Sequence, residues 1–320
     1  MQTSESVKTP IWGQSDHQRH LEEFAASEGH YDLWFKLFRV RARQTGWAPR
    51  KLFPVMRRFT SSRRPYFRTR LASGVSFLGD IRDRYSLDIA STPNNTDPII
   101  PFFQELAAQT DGCFVDVGAN VGLISLEVAR TLQNSANVYA FEPMQATARR
   151  ASATFALNQL SNIFLLPVAA SDTDGVLTFY EAPGDTDFAS AHPASSFDVE
   201  WNKITLPCCT LDRLRDQGIL PKIGLLKIDV EGHEISVFRG ARKTIAADRP
   251  HIVFEYNYVI ALTSGWKIKD VAAVLSEAGP YTLHTLSDDG HLTQISPDRT
   301  FEEHQEGFCN IYCKPAQVEK

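Results

Sequence analysis

Asp116, Gly118, Asn120 and Gly122 fall at alternate positions in CFVDVGANVGLISLEVA (113–129). The pattern reads as a buried strand ending at Val117, a tight turn and an amphipathic helix. Gly118 permits the turn and close approach of a ligand, and Gly122 lets helix and strand pack closely. The helix start then presents free N–H groups and a positive dipole end to an anion. That anion is a pyrophosphate in dinucleotide enzymes and the methionine carboxylate in S-adenosylmethionine enzymes. Two details favour the second. Asp116 can receive an ammonium group, directly or through water, whereas a pyrophosphate gains nothing from a nearby carboxylate. The spacing is also D-x-G-x-N-x-G and not the G-x-G-x-x-G of nicotinamide sites. Glu142 ends the following strand, where its carboxylate would hold a ribose diol, and Pro143 stops the strand there. Ala170, Ser171 and Asp172, after the third strand, are expected at the adenine edge, with Met144 as a packing surface.

Methyl transfer is an in-line displacement, so the acceptor oxygen must be held near ~3 Å from the methyl carbon and lose its proton. Asp229, Glu231, His233, Glu255 and Asn257 should cluster over the C-terminal strand ends. His233 titrates near neutrality and is a candidate general base, or else only caps and packs a helix start. Asp229 or Glu231 could orient it or replace it, and Glu231 could instead be the first-turn acid of its helix. Asp229, Glu255 and Asn257 also offer an oxygen set suited to Mg²⁺, a less favoured arrangement that would acidify the acceptor hydroxyl.

These residues need a scaffold, and the apolar pattern supplies one. FVDVG, VYAFE, IFLLPVAA, LLKIDV and HIVFE are short runs buried on both faces and separated by helical stretches. Such runs form a mostly parallel sheet in βαβ units. YTLHTL, HLTQI and GFCNIYC read as strands closing the sheet edge, where an antiparallel arrangement is open. Residues 171–222 form an insertion, opening with a hairpin-like GVLTFYEA, that could act as a lid with Ser195 and Ser196 as contacts. Residues 1–20 read as a loose tail, Leu21 to about Phe59 as helical, 75–90 as one or two strands, and Ile99–Leu106 as the start of a helix. The expected division is an appendage over 1–95 and a core domain over 96–320.

The chain has 320 residues, 43% of them apolar and 22% charged, which excludes global disorder. No apolar run reaches the length of a membrane span, and the polar start has no signal-like core, so a cytoplasmic protein is expected. Five cysteines without framework spacing read as ordinary thiols. The net charge of −5 hides twelve Lys or Arg and no acid within 33–79. The favoured reading is a solvated cap on an acidic body. The basic 36–70 stretch, interleaved with aromatics, also leaves nucleic acid or an anionic lipid as partners, and a homodimer is open.

DVGANVG, AFEP, AASD, TLDRL, and above all LLKIDVEGHEISVFRGA (225–241) with RPHIVFE (249–255), resemble the FkbM family of S-adenosylmethionine-dependent methyltransferases over roughly 110–257. The resemblance implies a Rossmann-like class I methyltransferase fold, with a mostly parallel seven-stranded sheet between helices. It also implies O-methylation of a hydroxyl on a sugar or small secondary metabolite. Two other readings stand beside it. One is an NAD(P)-dependent oxidoreductase, disfavoured by Asp116 and Asn120. The other is a catalytically inactive binding module on the same fold.

Overall fold

Four runs with hardly an exposed residue become the centre of the molecule. In the computed structural model, which describes residues 9–25, 27–29, 64–91, 98–133, 135–181, 189–190, 202–298 and 308–316, these are β3 (Cys113–Val117), β4 (Val138–Phe141), β5 (Ile163–Leu166) and β10 (Ile223–Ile228). With β11 (His251–Asn257) they make five parallel strands, in the order β11-β10-β3-β4-β5. β12 (Tyr281–Leu286), β13 (Leu292–Ile295) and β14 (Phe308–Pro315) extend the β11 side antiparallel, giving the order β13-β12-β14-β11-β10-β3-β4-β5. The sheet therefore has eight strands, one more than the seven expected. The chain doubles back at 287–291 and adds HLTQI as a separate edge strand instead of ending at β12.

Helices cover both faces, as strands buried on two sides require. One face carries α3 (Ile100–Gln109), α4 (Leu123–Leu132) and α5 (Gln145–Leu157), through residues such as Phe103, Leu126 and Phe155. The other carries α6 (Leu211–Asp216), α7 (Glu234–Gly240), α8 (Arg242–Asp248) and α10 (Ile268–Glu277), through Leu214, Phe238, Ile245 and Leu275. A short α9 (Tyr258–Thr263) follows β11.

IFLLPVAA does not continue as one strand. Pro167 has no N–H to donate, and the chain leaves the sheet there. It resumes as β6 (Ala169–Ala170), which pairs parallel with β9 (Asn202–Cys209) in a second sheet of order β6-β9-β7-β8. The expected local hairpin at GVLTFYEA is instead one long strand, β7 (Gly175–Glu181), antiparallel to the distant β9, with β8 (Ala189–Ser190) alongside. Ser195 and Ser196 lie outside the described residues.

Two N-terminal expectations change. The polar start holds α1 (Gln14–Ala25), whose buried positions His17, His20 and Phe24 follow a helical spacing that histidines concealed. Residues 75–90 divide into β2 (Ser76–Asp80), paired with β1 (Tyr66–Arg70), and α2 (Arg84–Ser91), whose first turn Asp83 caps through the Ser86 N–H. Both units dock on α5: Thr154 accepts from the Leu78 N–H, Asn158 brackets Ser76, and Arg150 pairs with Asp83 in a buried site. Most of the basic, aromatic 36–70 stretch lies outside the described residues. Among those described, Arg68 pairs with Glu28. No described helix is long and apolar enough to cross a membrane. The five cysteines are free thiols, four of them buried.

Candidate active site

The C-terminal ends of β3, β4, β10 and β11 lie together, and the turns leaving them carry nearly every residue singled out above. After β3, Gly118 at φ +81° and Asn120 at φ +50° reverse the chain, and Gly122 at φ +77° starts α4. A β-carbon on Gly118 would stand 1.7 Å from the Asp229 carbonyl, so this glycine seats the turn against β10. A β-carbon on Gly122 would stand 2.6 Å from the Phe155 ring, so its partner is helix α5 and not the strand the sequence pointed to.

Glu142 closes the other side of this turn. Its carboxylate accepts from the Asn120 N–H at 3.0 Å and from the Met144 N–H at 2.8 Å. Burial pushes its pKa up to about 7, against the pull of those two N–H groups. Beside the turn opens a slot lined by Gly118, Pro143, Ala169, Ala170, Phe179 and His233. Phe179 comes from the inserted sheet, so the insertion walls this slot. Ser171 lies behind it, fully buried, with its Oγ 2.9 Å from His233 Nε2. His233, 7% exposed, thus sits on the Ser171 side with Phe179 edge-on to its ring. Gly240, in the RGA of the signature, lets α7 approach; a β-carbon there would stand 1.9 Å from the Ser171 carbonyl.

Asp116 is 0% exposed. Its Oδ2 accepts from Ser125 Oγ at 2.6 Å, and its Oδ1 pairs with Lys227 Nζ at 3.2 Å. The carboxylate expected to face an ammonium group is therefore turned under the strand ends. Lys227 is its register partner on β10. The same ammonium reaches Asp229 Oδ2 at 3.3 Å and donates to the Gly118 carbonyl at 3.3 Å. Burial alone would lower the pKa of Lys227, but Asp116 and Asp229 outweigh it and raise it.

Asp229, Glu231 and Glu255 bring carboxylate oxygens within 4.8 Å of one another. Burial, then the charges of Asp229, Glu231 and Glu234, hold the Glu255 pKa well above the carboxylate range, with Lys227 opposing. The Asn257 side chain caps α9, accepting from the Ile260 N–H. The role of helix-start acid foreseen for Glu231 falls to Glu234, whose Oε1 accepts from the Val230 and Gly232 N–H groups. Glu231 itself adopts φ +51°, a conformation that a side chain other than glycine takes at a cost.

Lys227, Glu234 and Phe179 were missed from the sequence. A lysine inside LLKI was the available signal, since a charge on a strand buried on both faces must be paired. Phe179 gave none, because its position depends on a sheet formed with residues 202–209.

A nucleotide-binding turn after β3, an acid after β4 and a carboxylate cluster after β10 and β11 define a Rossmann-like S-adenosylmethionine-dependent methyltransferase. The FkbM methyltransferase domain matches residues 116–280, and the chain belongs to that family. It is 29% identical to the hexuronic acid methyltransferase AglP of Haloferax volcanii over 195 residues, 61% of this chain and 70% of that one. It is 26% identical to the 2-O-methyltransferase NoeI of Sinorhizobium fredii over 164 residues, 48% of this chain and 66% of that one. Among solved structures, the FkbM methyltransferase of Methylobacillus flagellatus aligns at 18% identity and a TM-score of 0.35, over 72% of this chain and 55% of that one.

Proposed function

We propose that this chain methylates a hydroxyl group on a sugar or small secondary metabolite, with Glu255 as the general base. The observation that carries the reading is Glu255: a carboxylate with raised proton affinity, at the tip of the strand beside the one that bears Asp229. The residues fit S-adenosylmethionine. The apolar slot between Gly118 and Phe179 would take the base, and Glu142, next in sequence to its lining residues Phe141 and Pro143, would take the ribose diol. The Asn120 Oδ1 is buried with no hydrogen-bond partner among the described residues, as expected of a side-chain amide that waits for a ligand. When bound, the nucleotide supplies an electrophilic methyl group. The turn 118–122 holds its methionine end, and Ala170 with Ser171 flanks the base. Asp229, whose side chain is 35% exposed, receives the ammonium group in place of the buried Asp116.

Glu255 takes the hydroxyl proton as the new C–O bond forms. Glu231 orients the acceptor by accepting from its hydroxyls, which suits a polyol. His233 belongs in this reading to the wall of the base slot and not to proton transfer, since its Nε2 is engaged with Ser171. The names of the two relatives, one acting on a hexuronic acid and one a 2-O-methyltransferase, support a hydroxyl on a sugar as acceptor.

The test is methyl-labelled S-adenosylmethionine with the purified chain and a panel of neutral glycosides, hexuronic acid glycosides and non-sugar alcohols. Label in a base-stable ether is the expected result. Label only in base-labile esters, or none despite tight binding of S-adenosylhomocysteine, would overturn the reading.

A second reading follows from the 4.8 Å grouping of Asp229, Glu231 and Glu255. A divalent cation such as Mg²⁺ between them would polarise the acceptor hydroxyl and leave Glu255 as ligand and not base. Turnover that survives EDTA removes this reading. Loss with EDTA and recovery with Mg²⁺ replaces the first.

A further inference from the structure

Lys227 has no place in the roles assigned so far, yet it touches both halves of the site. It is 6% exposed and sits in a strand whose other side chains are all apolar. Its ammonium donates to the Gly118 carbonyl at 3.3 Å and forms ion pairs with Asp116 Oδ1 at 3.2 Å and Asp229 Oδ2 at 3.3 Å. The arrangement follows from register. Asp116 and Lys227 are paired across β3 and β10, so their side chains lie on one face of the sheet. Two residues on, the pleat returns Asp229 to the same face, and the β10–β11 register carried one step further sets Glu255 opposite it.

We propose that Lys227 is a positioning residue for methyl transfer, fixing Asp229 beside the Gly118 turn. The inference rests on the reading of Asp229 as the group that receives the cofactor's ammonium. A buried ion pair kept only for folding has no need of its third partner, and apolar side chains of similar volume often replace such pairs without loss. Here the partners differ in kind. Asp116 is sealed under the turn by Ser125, whereas Asp229 is partly open at the strand tip, where a ligand would meet it.

Two variants separate positioning from folding. Lys227→Met leaves Asp116 buried without a counter-charge. Lys227→Met with Asp116→Asn removes both charges of the sealed pair and leaves Asp229 and Glu255 in place. The readouts are the melting temperature and the calorimetric affinities for S-adenosylhomocysteine and for adenosine, which lacks its amino-acid end.

The double variant is expected to recover most of the melting temperature lost in the single one. It should still bind S-adenosylhomocysteine at least tenfold more weakly than the parent, with adenosine bound as before. Recovery of S-adenosylhomocysteine affinity together with stability would overturn the proposal, because Lys227 would then serve only to bury Asp116. So would failure of the double variant to fold, which would make Lys227 a folding residue regardless of Asp116. A parent chain that never binds S-adenosylhomocysteine sinks the cofactor reading instead. A parent that binds it but transfers no methyl to a hydroxyl sinks the base reading, and both results are distinct from those of the Lys227 variants.

Discussion

The Asp229 carbonyl stands where residue 118 would carry a β-carbon, at 1.7 Å, and the Asp229 N–H donates to the Val117 carbonyl at 3.0 Å. The two strand ends are thus locked by backbone alone, and the clashing atom cannot rotate away. Gly118→Ala adds to this a φ of +81°, which alone costs of order 1–3 kcal/mol. The expected outcome is a melting temperature lowered by several degrees or more, with affinity for S-adenosylhomocysteine lost alongside. A variant with the parent's melting curve would show that the strand tips separate freely.

Glu142 ties cofactor affinity to pH. Its folded pKa, about 7, lies above the ordinary value of 4.5. A carboxyl shifted upward favours the folded state most below 4.5, and that contribution is lost as pH rises through 7. Ligand binding runs the other way. A carboxylate that accepts from a ribose diol must be ionised, so S-adenosylhomocysteine should bind more tightly as pH rises from 5.5, levelling above 7. Glu142→Gln keeps the shape and loses the charge. Calorimetry should find affinity roughly tenfold weaker, about one charge-assisted hydrogen bond, and flat across that range. A parent chain with flat affinity would remove the diol role.

Glu255→Gln is the corresponding test of the chemistry. General bases contribute roughly 10²–10⁴ in rate, so kcat should fall by that order while affinity for S-adenosylhomocysteine stays within about threefold. A fall in affinity with kcat preserved would move Glu255 from catalysis to cofactor binding.

The N-terminal helix should come loose in acid. His17 and His20 both direct Nδ1 at Ser152 Oγ, at 2.7 Å and 2.8 Å, and His17 Nε2 reaches the Ile163 carbonyl at 3.2 Å. A carbonyl only accepts, so His17 carries its proton on Nε2 and takes the Ser152 hydroxyl proton on Nδ1, while His20 donates to Ser152. Burial lowers the His17 pKa from 6.5 to about 4 and lowers that of His20 as well. A histidine depressed on folding contributes stability present above 6.5 and lost as pH falls toward 4. For His17 the loss is at most about 3 kcal/mol, from the shift at ~1.4 kcal/mol per unit. Thermal melts between pH 7 and 4.5 should show it, and His17→Gln should flatten the curve. An unchanged slope in that variant would place the acid sensitivity elsewhere.

What could be seen in the sequence tracks what is locally encoded. FVDVG, VYAFE and LLKIDV announce strands because their residues are apolar except for Asp116, Lys227 and Asp229, which pair together, and Glu142, held by two backbone N–H groups, and the turn after Val117 is written in its glycines. The cluster of Asp229, Glu231 and Glu255 follows from strand ends alone. What escaped depends on distant partners. The pairing of Asp116 with Lys227 is set by strand register, and the 2.9 Å contact of His233 with Ser171 joins residues 62 positions apart. The polar QSDHQRHLEEFA hides a docked helix because the residues it buries are histidines satisfied by one serine of α5.

Trp12 exchanges backbone hydrogen bonds with Leu165 in both directions, at 2.7 Å and 3.0 Å, along the outer side of β5. Strand borders left bare recruit whatever extended chain is nearby, and here a single tryptophan occupies the middle of one. Shortening the protein past this residue would remove a stopper as well as a tail. Preparations begun after position 12 should therefore self-associate through the uncovered border, whereas those that retain Trp12 should not.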